Sequence, residues 1–176
     1  MAMGYASGLN NILKAVFMTI SLPNDSPLDP ADLRILRVLA TDGRIPVTEL
    51  AGRVGLSKTP CQTRMKRLQE QGYIQGFRAI LDPIRLGLAH VAFVEVRLSD
   101  TREAALRAFN DATRAVPEIE QCHMIAGAFD YLLKVRSADI TDYRRVLGEV
   151  ISRLPHVAAT STHVSMEAVK DENAWV

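Results

Sequence analysis

The residues best suited to chemistry cluster in one stretch, Ser57-Lys-Thr-Pro-Cys-Gln-Thr-Arg-Met-Lys-Arg67. Hydroxyls, an amide and cations are the groups that reach base edges and phosphates in duplex DNA. Ser57 is a good N-cap and Pro60 falls in a first turn, where its missing N–H costs nothing, so the stretch reads as a helix running to Gln71. Cys61, Met65 and Leu68 recur at i, i+4, i+7 and must face a core. That leaves Thr59, Gln62, Thr63, Lys66 and Arg67 pointing outward. Charge alone would describe only a solvated face, since Lys and Arg decorate most surface helices. The preceding turn changes the reading. Gly55 ends a first helix whose Leu50, Ala51 and Val54 share a face, and a turn as tight as Val54-Gly-Leu-Ser57 is what a helix-turn-helix requires. Ser57, Lys58, Thr59, Lys66 and Arg67 are therefore candidate DNA contacts, with Gln62 and Thr63 the candidates for base readout.

A second cluster has the ingredients of catalysis but not the geometry. Cys122 and His123 pair a thiol with a base, yet they sit in a strand pattern, where neighbouring side chains leave from opposite faces and cannot share a proton. Cys122 reads as core and His123 as a satisfied polar residue or part of a dimer cleft. His90, His156 and His163 have no metal-ligand spacing. Binding has better material. Gly127-Ala-Phe-Asp130 supplies a turn with accessible backbone and one carboxylate, and Thr160-Ser-Thr-His-Val-Ser165 alternates hydroxyls along a strand that could border it. Asp130 either accepts a positively charged group of a ligand or caps its own loop; Phe129 and Tyr131 read as packing.

The elements that must position these groups follow from composition and periodicity. At 176 residues the chain can hold two small domains. Net charge is +1, which excludes a basic coating protein, but the charge is uneven. Residues 28–83 carry nine Lys and Arg against six Asp and Glu, and residues 84–176 carry eleven against thirteen. Two distant cysteines make neither a redox pair nor a zinc set and fit a reducing cytoplasm. No apolar run reaches membrane-spanning length, and Ala15–Ile20 has the wrong flanks for a signal peptide. Residues 1–27 read as a tail, with a helix as one reading of Leu9–Ile20 and Met18 as an alternative start.

In the first half, Asp29 caps a helix with Pro30 at N1, and Leu33, Leu36, Val38, Leu39 and Ala40 form its buried side. It completes a trihelical unit. Tyr73–Pro83 predicts a short β-hairpin, the wing of a winged helix, with Arg78 placed to meet phosphate; residues 84–89 read as a hinge. The second half predicts a strand over His90–Leu98 and a helix over Arg102–Val116 with Leu106, Phe109, Ala112 and Thr113 inside. Strands over Ile119–Ala126 and Tyr131–Arg136 follow. A helix over Asp139–Leu154, with Ile140, Tyr143, Val146, Leu147 and Ile151 inside, leads to a strand over Val157–Val169. The order βαββαβ is ferredoxin-like, covered by helices on one face only, so a dimer is expected through the other. The fold class is α+β: a winged helix-turn-helix over 28–83, then a ferredoxin-like effector and dimerisation domain over 90–170, with a tail over 171–176.

This combination resembles the Lrp/AsnC family of transcription regulators over Leu28 to about Lys170. Asp42-Gly-Arg-Ile45, Arg53-Val-Gly-Leu-Ser57, Thr59-Pro-Cys61, Gly72-Tyr-Ile74, Glu120-Gln-Cys-His123, Gly127–Lys134 and Leu154-Pro155 carry the resemblance. Ser57–Arg64 and His123–Asp130 are most similar to the proline-responsive branch, which activates the proline dehydrogenase gene. The loop reads Gly-Ala-Phe-Asp where the leucine-responsive branch has Gly-Asp-Phe-Asp, and Ser165 stands where that branch has valine.

The resemblance implies an effector site between subunits, here drawing on His123, Met124, Gly127, Asp130, Thr162, Val164 and Ser165, and assembly as dimers or octamers. It implies a cytoplasmic, nucleoid-associated regulator with no cofactor, no metal and no enzyme activity. That regulator would bind pseudo-palindromic double-stranded DNA and answer to a small amino acid, proline or leucine. A leucine-responsive global regulator is the alternative within the family. A stand-alone amino-acid sensor or a small ferredoxin-like enzyme is the alternative outside it.

Overall fold

The computed structural model describes residues 28–169. The expected tails over 1–27 and 171–176 lie outside them. The chain divides into two compact units, the first ending at Ile80 and the second beginning at Leu81.

Three helices make the first unit: α1 (Pro30–Thr41), α2 (Val47–Val54) and α3 (Lys58–Glu70). Asp29 caps α1 as expected, accepting the N–H groups of Ala31 at 2.8 Å and Asp32 at 2.9 Å. The buried stripe of α1 is centred elsewhere than expected. Asp32, Ile35 and Leu39 are its buried residues, whereas Leu33, Leu36 and Val38 are half-buried and Ala40 is exposed. With Leu50, Ala51, Val54, Cys61 and Leu68 they enclose one core. Gly55 ends α2 at φ 71°, the left-handed conformation that admits a glycine cheaply and turns the chain straight into α3. Ser57 occupies the N-cap position of α3, but its side chain makes no capping bond.

The hairpin expected over Tyr73–Pro83 is not formed: residues 73–82 contain no strand. Its first arm is already engaged, because the Ile74 N–H donates to Leu68 O at 3.1 Å and closes the end of α3. Phe77 instead lies over Gly43, so close that a Cβ there would come within 3.1 Å of its ring.

The second unit begins with a hydrogen-bonded turn. Asp82 Oδ1 accepts the N–H groups of Ile84 and Arg85, and Leu88 N–H reaches Pro83 O at 2.8 Å. The segment expected as a hinge is thus locally ordered. Strand β1 (His90–Leu98) is followed by α4 (Glu103–Arg114), β2 (Ile119–Met124), β3 (Tyr131–Ser137), α5 (Ile140–Glu149), a 3₁₀ turn (Ile151–Arg153) and β4 (Val157–Val164). The sheet is antiparallel in the order β2-β3-β1-β4, the ferredoxin-like arrangement. Ala92, Val94, Val96, Tyr131, Leu133 and Val135 pack with Phe109, Tyr143 and Val146 of the helices, and Phe109 meets Tyr131 at 4.4 Å between ring centroids. Ile140, expected inside, is half exposed at the start of α5.

Candidate functional site

The outer face of α3 is the first site. Ser57, Lys58, Thr59, Gln62, Thr63 and Lys66 are all exposed, and Arg78 is exposed beyond the helix. Thr63 Oγ1 donates to Thr59 O at 3.1 Å, a bond that holds the hydroxyl against the helix. Lys66 Nζ lies 3.5 Å from Glu70, an exposed pair of the kind that contributes little stability and is easily exchanged for another anion.

Arg67 is placed differently from the rest. Its Nη2 donates to Asp32, whose carboxylate is completely buried. Arg64 Nη1 donates to Asp29 and, at 2.9 Å, to Asp32. Arg67 is therefore a brace between α3 and α1 as well as a cation at the edge of the exposed face. The bond from the Asp32 N–H, with the Arg64 guanidinium behind it, holds the Asp29 carboxyl below the usual carboxylate range. The same carboxylates push the Arg64 guanidinium up. Nothing in a local reading finds Asp32, because its partners lie more than thirty residues away.

The second site lies in the sheet. Register puts His123 opposite Leu132 and Cys122 opposite Leu133, on opposite faces of the sheet as the alternation requires. Cys122 packs against the core, and burial pushes its thiol up, as it does for Cys61. A thiolate paired with His123 is excluded by that geometry. Among the described residues no three His, Cys, Asp or Glu side chains group as metal ligands.

Asp130 is hydrogen-bonded to β1. Its Oδ2 accepts the Leu98 N–H at 2.7 Å, its own N–H reaches Val96 O at 2.9 Å, and its carbonyl accepts from Ile125. The loop 125–130 is thereby tied to the C-terminal end of β1. Gly127 is not required by crowding, since a Cβ there would meet only Ile125 at 3.5 Å.

Thr162, Val164 and Ser165 lie elsewhere. Thr162 pairs with Val94, Val164 with Ala92, and the Ser165 N–H donates to Val91 O, all toward the N-terminal half of β1. Thr162 Oγ1 is also engaged 2.5 Å from the Tyr143 hydroxyl, on the helix-covered face. Strands β2 and β4 are opposite edges, separated by about 14 Å at the usual strand spacing. Ser165 and Asp130 are further displaced along β1 by about 20 Å at the usual rise per residue. Within one protomer the Gly127–Asp130 loop lies one strand away from the Thr160 end of the last strand, and far from its Ser165 end. His123, Met124, Gly127 and Asp130 gather at the end of the sheet where β2 meets β3, with Asp130 bonded to β1; Val164 and Ser165 lie toward the opposite end of β1.

Sequence reasoning also missed a cleft of about 460 Å³ between α4 and the edge strand β2, lined by Asn110, Arg114, Gln121, Cys122 and Tyr131. Met124 alone of the expected effector residues borders it. The open sheet face was likewise richer than its alternation suggested. Glu120 receives Arg136 Nε and lies 3.3 Å from Lys134 Nζ, and His163 faces Glu95 at 3.2 Å.

Two domain families match these two units. Residues 28–75 match a winged helix-turn-helix DNA-binding model, and residues 91–175 match the Lrp/AsnC ligand binding domain. A proline dehydrogenase transcriptional activator of Rhizobium radiobacter is 65% identical over 144 residues, covering 82% of this chain and 92% of the relative. The chain belongs to the Lrp/AsnC family. A second proline dehydrogenase transcriptional activator, of Rhodobacter capsulatus, is 60% identical over 84% of this chain and 96% of its own. The leucine-responsive regulatory protein of Escherichia coli K12 is 47% identical over 85% and 91%. Among solved structures, a Neisseria meningitidis transcriptional regulator in complex with L-Met superposes with a TM-score of 0.78 at 28% identity, over 85% of this chain and 96% of that one. As an Lrp/AsnC protein the chain is a DNA-binding transcription regulator with an attached ligand-binding domain, not an enzyme. The described residues contain no helix long and apolar enough to cross a membrane.

Proposed function

We propose that this Lrp/AsnC protein is a cytoplasmic activator of proline catabolism that binds pseudo-palindromic DNA and responds to proline. The observation that carries the reading is the pair of relatives at 65% and 60% identity, both named proline dehydrogenase transcriptional activator. Ser57, Lys58, Thr59, Lys66 and Arg78 contact phosphates, Gln62 and Thr63 read bases, and Arg67 adds a cation at the edge of that face while bracing α3. The exposed hydroxyls, amide and ammonium of α3 support this assignment.

The effector site forms between copies of the chain. The displacement along β1 between Asp130, bonded at Val96, and Ser165, bonded at Val91, supports that. Dimerisation uses the sheet face that α4 and α5 leave open, where Phe93 is exposed beside the Glu95–His163 pair. Dimers then assemble further, up to octamers.

Calorimetry with proline, leucine and methionine on the assembled protein tests the effector. Heat with proline and none with leucine is expected; binding of leucine alone would replace this reading with that of a leucine-responsive regulator. Sedimentation of the full chain as a monomer would remove the shared site.

A further inference from the structure

The N-terminus of α1 carries two carboxylates that serve more than their own helix. Asp29 and Asp32 form a reciprocal capping box, with the Asp29 N–H donating to Asp32 Oδ2 at 3.1 Å. A capping box satisfies backbone donors locally and normally stays exposed. Here Asp32 has no solvent exposure at all, and a carboxylate taken out of water must be neutralised nearby. The neutralising charges are Arg64 and Arg67, three residues apart on α3 and so on one flank of it. That flank lies between the buried Cys61 and Leu68 and the outward Gln62, Thr63 and Lys66. From the next turn of α1, Arg34 Nε donates to Val54 O at 3.1 Å and holds the end of α2. Helix α1 thus grips both halves of the helix-turn-helix.

A second observation separates this arrangement from simple packing. Arg67 Nε is buried without a hydrogen-bond partner. An orphaned buried donor costs stability, and Arg67 keeps its Nη2 bond to Asp32 at that cost. A helix with apolar contacts alone can rotate a little about its axis as its side chains adjust. Two guanidinium groups converging on one buried carboxylate do not permit it.

We propose that Asp32 is a positioning residue for DNA readout: through Arg64 and Arg67 it sets the rotation of α3, and so decides which side chains meet the bases. The inference rests on the reading that the outer face of α3 meets DNA. Asp32 touches no DNA itself. Its effect appears in discrimination between sequences, because non-specific affinity depends on total charge and not on helix rotation.

The test uses the full chain and two duplexes, one selected by the wild-type protein from a random pool and one of scrambled sequence. Fluorescence anisotropy is read at fixed salt, well below each variant's unfolding midpoint. Asp32→Asn keeps an oxygen for the Asp29 N–H but removes the charge that holds the arginines. Arg64→Lys keeps net charge and loses the planar fork. Both are expected to lower the ratio of selected to scrambled affinity by about tenfold, the scale of one lost base contact, while Arg64→Lys leaves scrambled binding unchanged. An unchanged ratio in folded Arg64→Lys overturns the proposal, even if its melting temperature falls, and it decides alone should Asp32→Asn not fold. Lys66→Ala is measured in parallel. If it too binds like wild type, the DNA-facing reading of α3 fails as well; if it weakens binding while the ratio in Arg64→Lys stands unchanged, only the role of Asp32 is lost.

Discussion

The two units solve the same problem of placing polar groups in opposite ways. In the first, the functional side chains lie on one continuous helix, so their relative positions follow from helical repeat alone, and a buried ionic clamp fixes the helix as a whole. In the second, the side chains proposed to meet the effector come from different strands, and their positions follow from strand order and register. The first design makes a complete surface from one chain. The second, on the proposed reading, is completed by another copy of the chain.

The largest effects should come from the buried anchors of each unit. Asp32→Ala leaves two arginines beside an emptied site and should cost about 3–5 kcal/mol, the usual loss when one partner of a buried pair is removed. Phe109→Ala should cost about 3–5 kcal/mol through lost packing against Tyr131. Denaturant melts followed by hydrogen exchange should show protection lost in residues 28–80 for the first variant and in residues 81–169 for the second. Equal loss of protection across both units would break the comparison.

A smaller effect is expected at Asp130. Its replacement by Ala strands the Leu98 N–H and should cost about 1–3 kcal/mol. Faster exchange of the Leu98 amide and loss of the response to proline, with DNA binding kept, would sharpen the contrast between the units. An unchanged Leu98 amide would show that the loop does not depend on this carboxylate.

Acid should weaken the first unit. The Asp29 pKa is lowered in the folded state, so its contribution is present above the ordinary carboxylate pKa and is lost as pH falls through the lowered value. The urea midpoint of the first unit should therefore fall below about pH 4. Asp29→Asn should flatten that dependence; an identical acid profile in the variant would contradict it.

The smallest stability effects belong to the exposed readers. Thr63→Ala and Gln62→Ala should change stability by less than about 0.5 kcal/mol, as surface substitutions do. They should shift preference among DNA sequences more than overall affinity. Uniform weakening across all sequences would place these residues on phosphates.

How much of this was legible in the sequence follows the same division. The cap at Asp29, the turn at Gly55 and the two faces of α3 could be read because they rest on neighbours within a turn or two. The strand His90–Leu98 could be read from its alternation, and its limits match those observed. The role of Asp32 could not be read, because its arginines are distant in sequence. Ile35 was overlooked for the same reason: the centre of a buried stripe depends on where the partner helices lie. The strands expected over Tyr73–Pro83 are not formed, and Ile74 closes the end of α3 instead. The bond between Thr162 and the Tyr143 hydroxyl could not be read, because it joins a strand to a helix nineteen residues away. The cleft beside Tyr131 joins a helix and an edge strand, a proximity that no periodicity encodes.

The central claim is that the outer face of α3 meets the DNA backbone, and salt dependence tests it most directly. Operator affinity is measured by anisotropy across a range of salt for wild type and Lys66→Ala, with circular dichroism to confirm equal folding. Losing one phosphate contact should make the slope of log K against log salt shallower by about one. Parallel lines for the two proteins would contradict the assignment of α3 as the recognition helix.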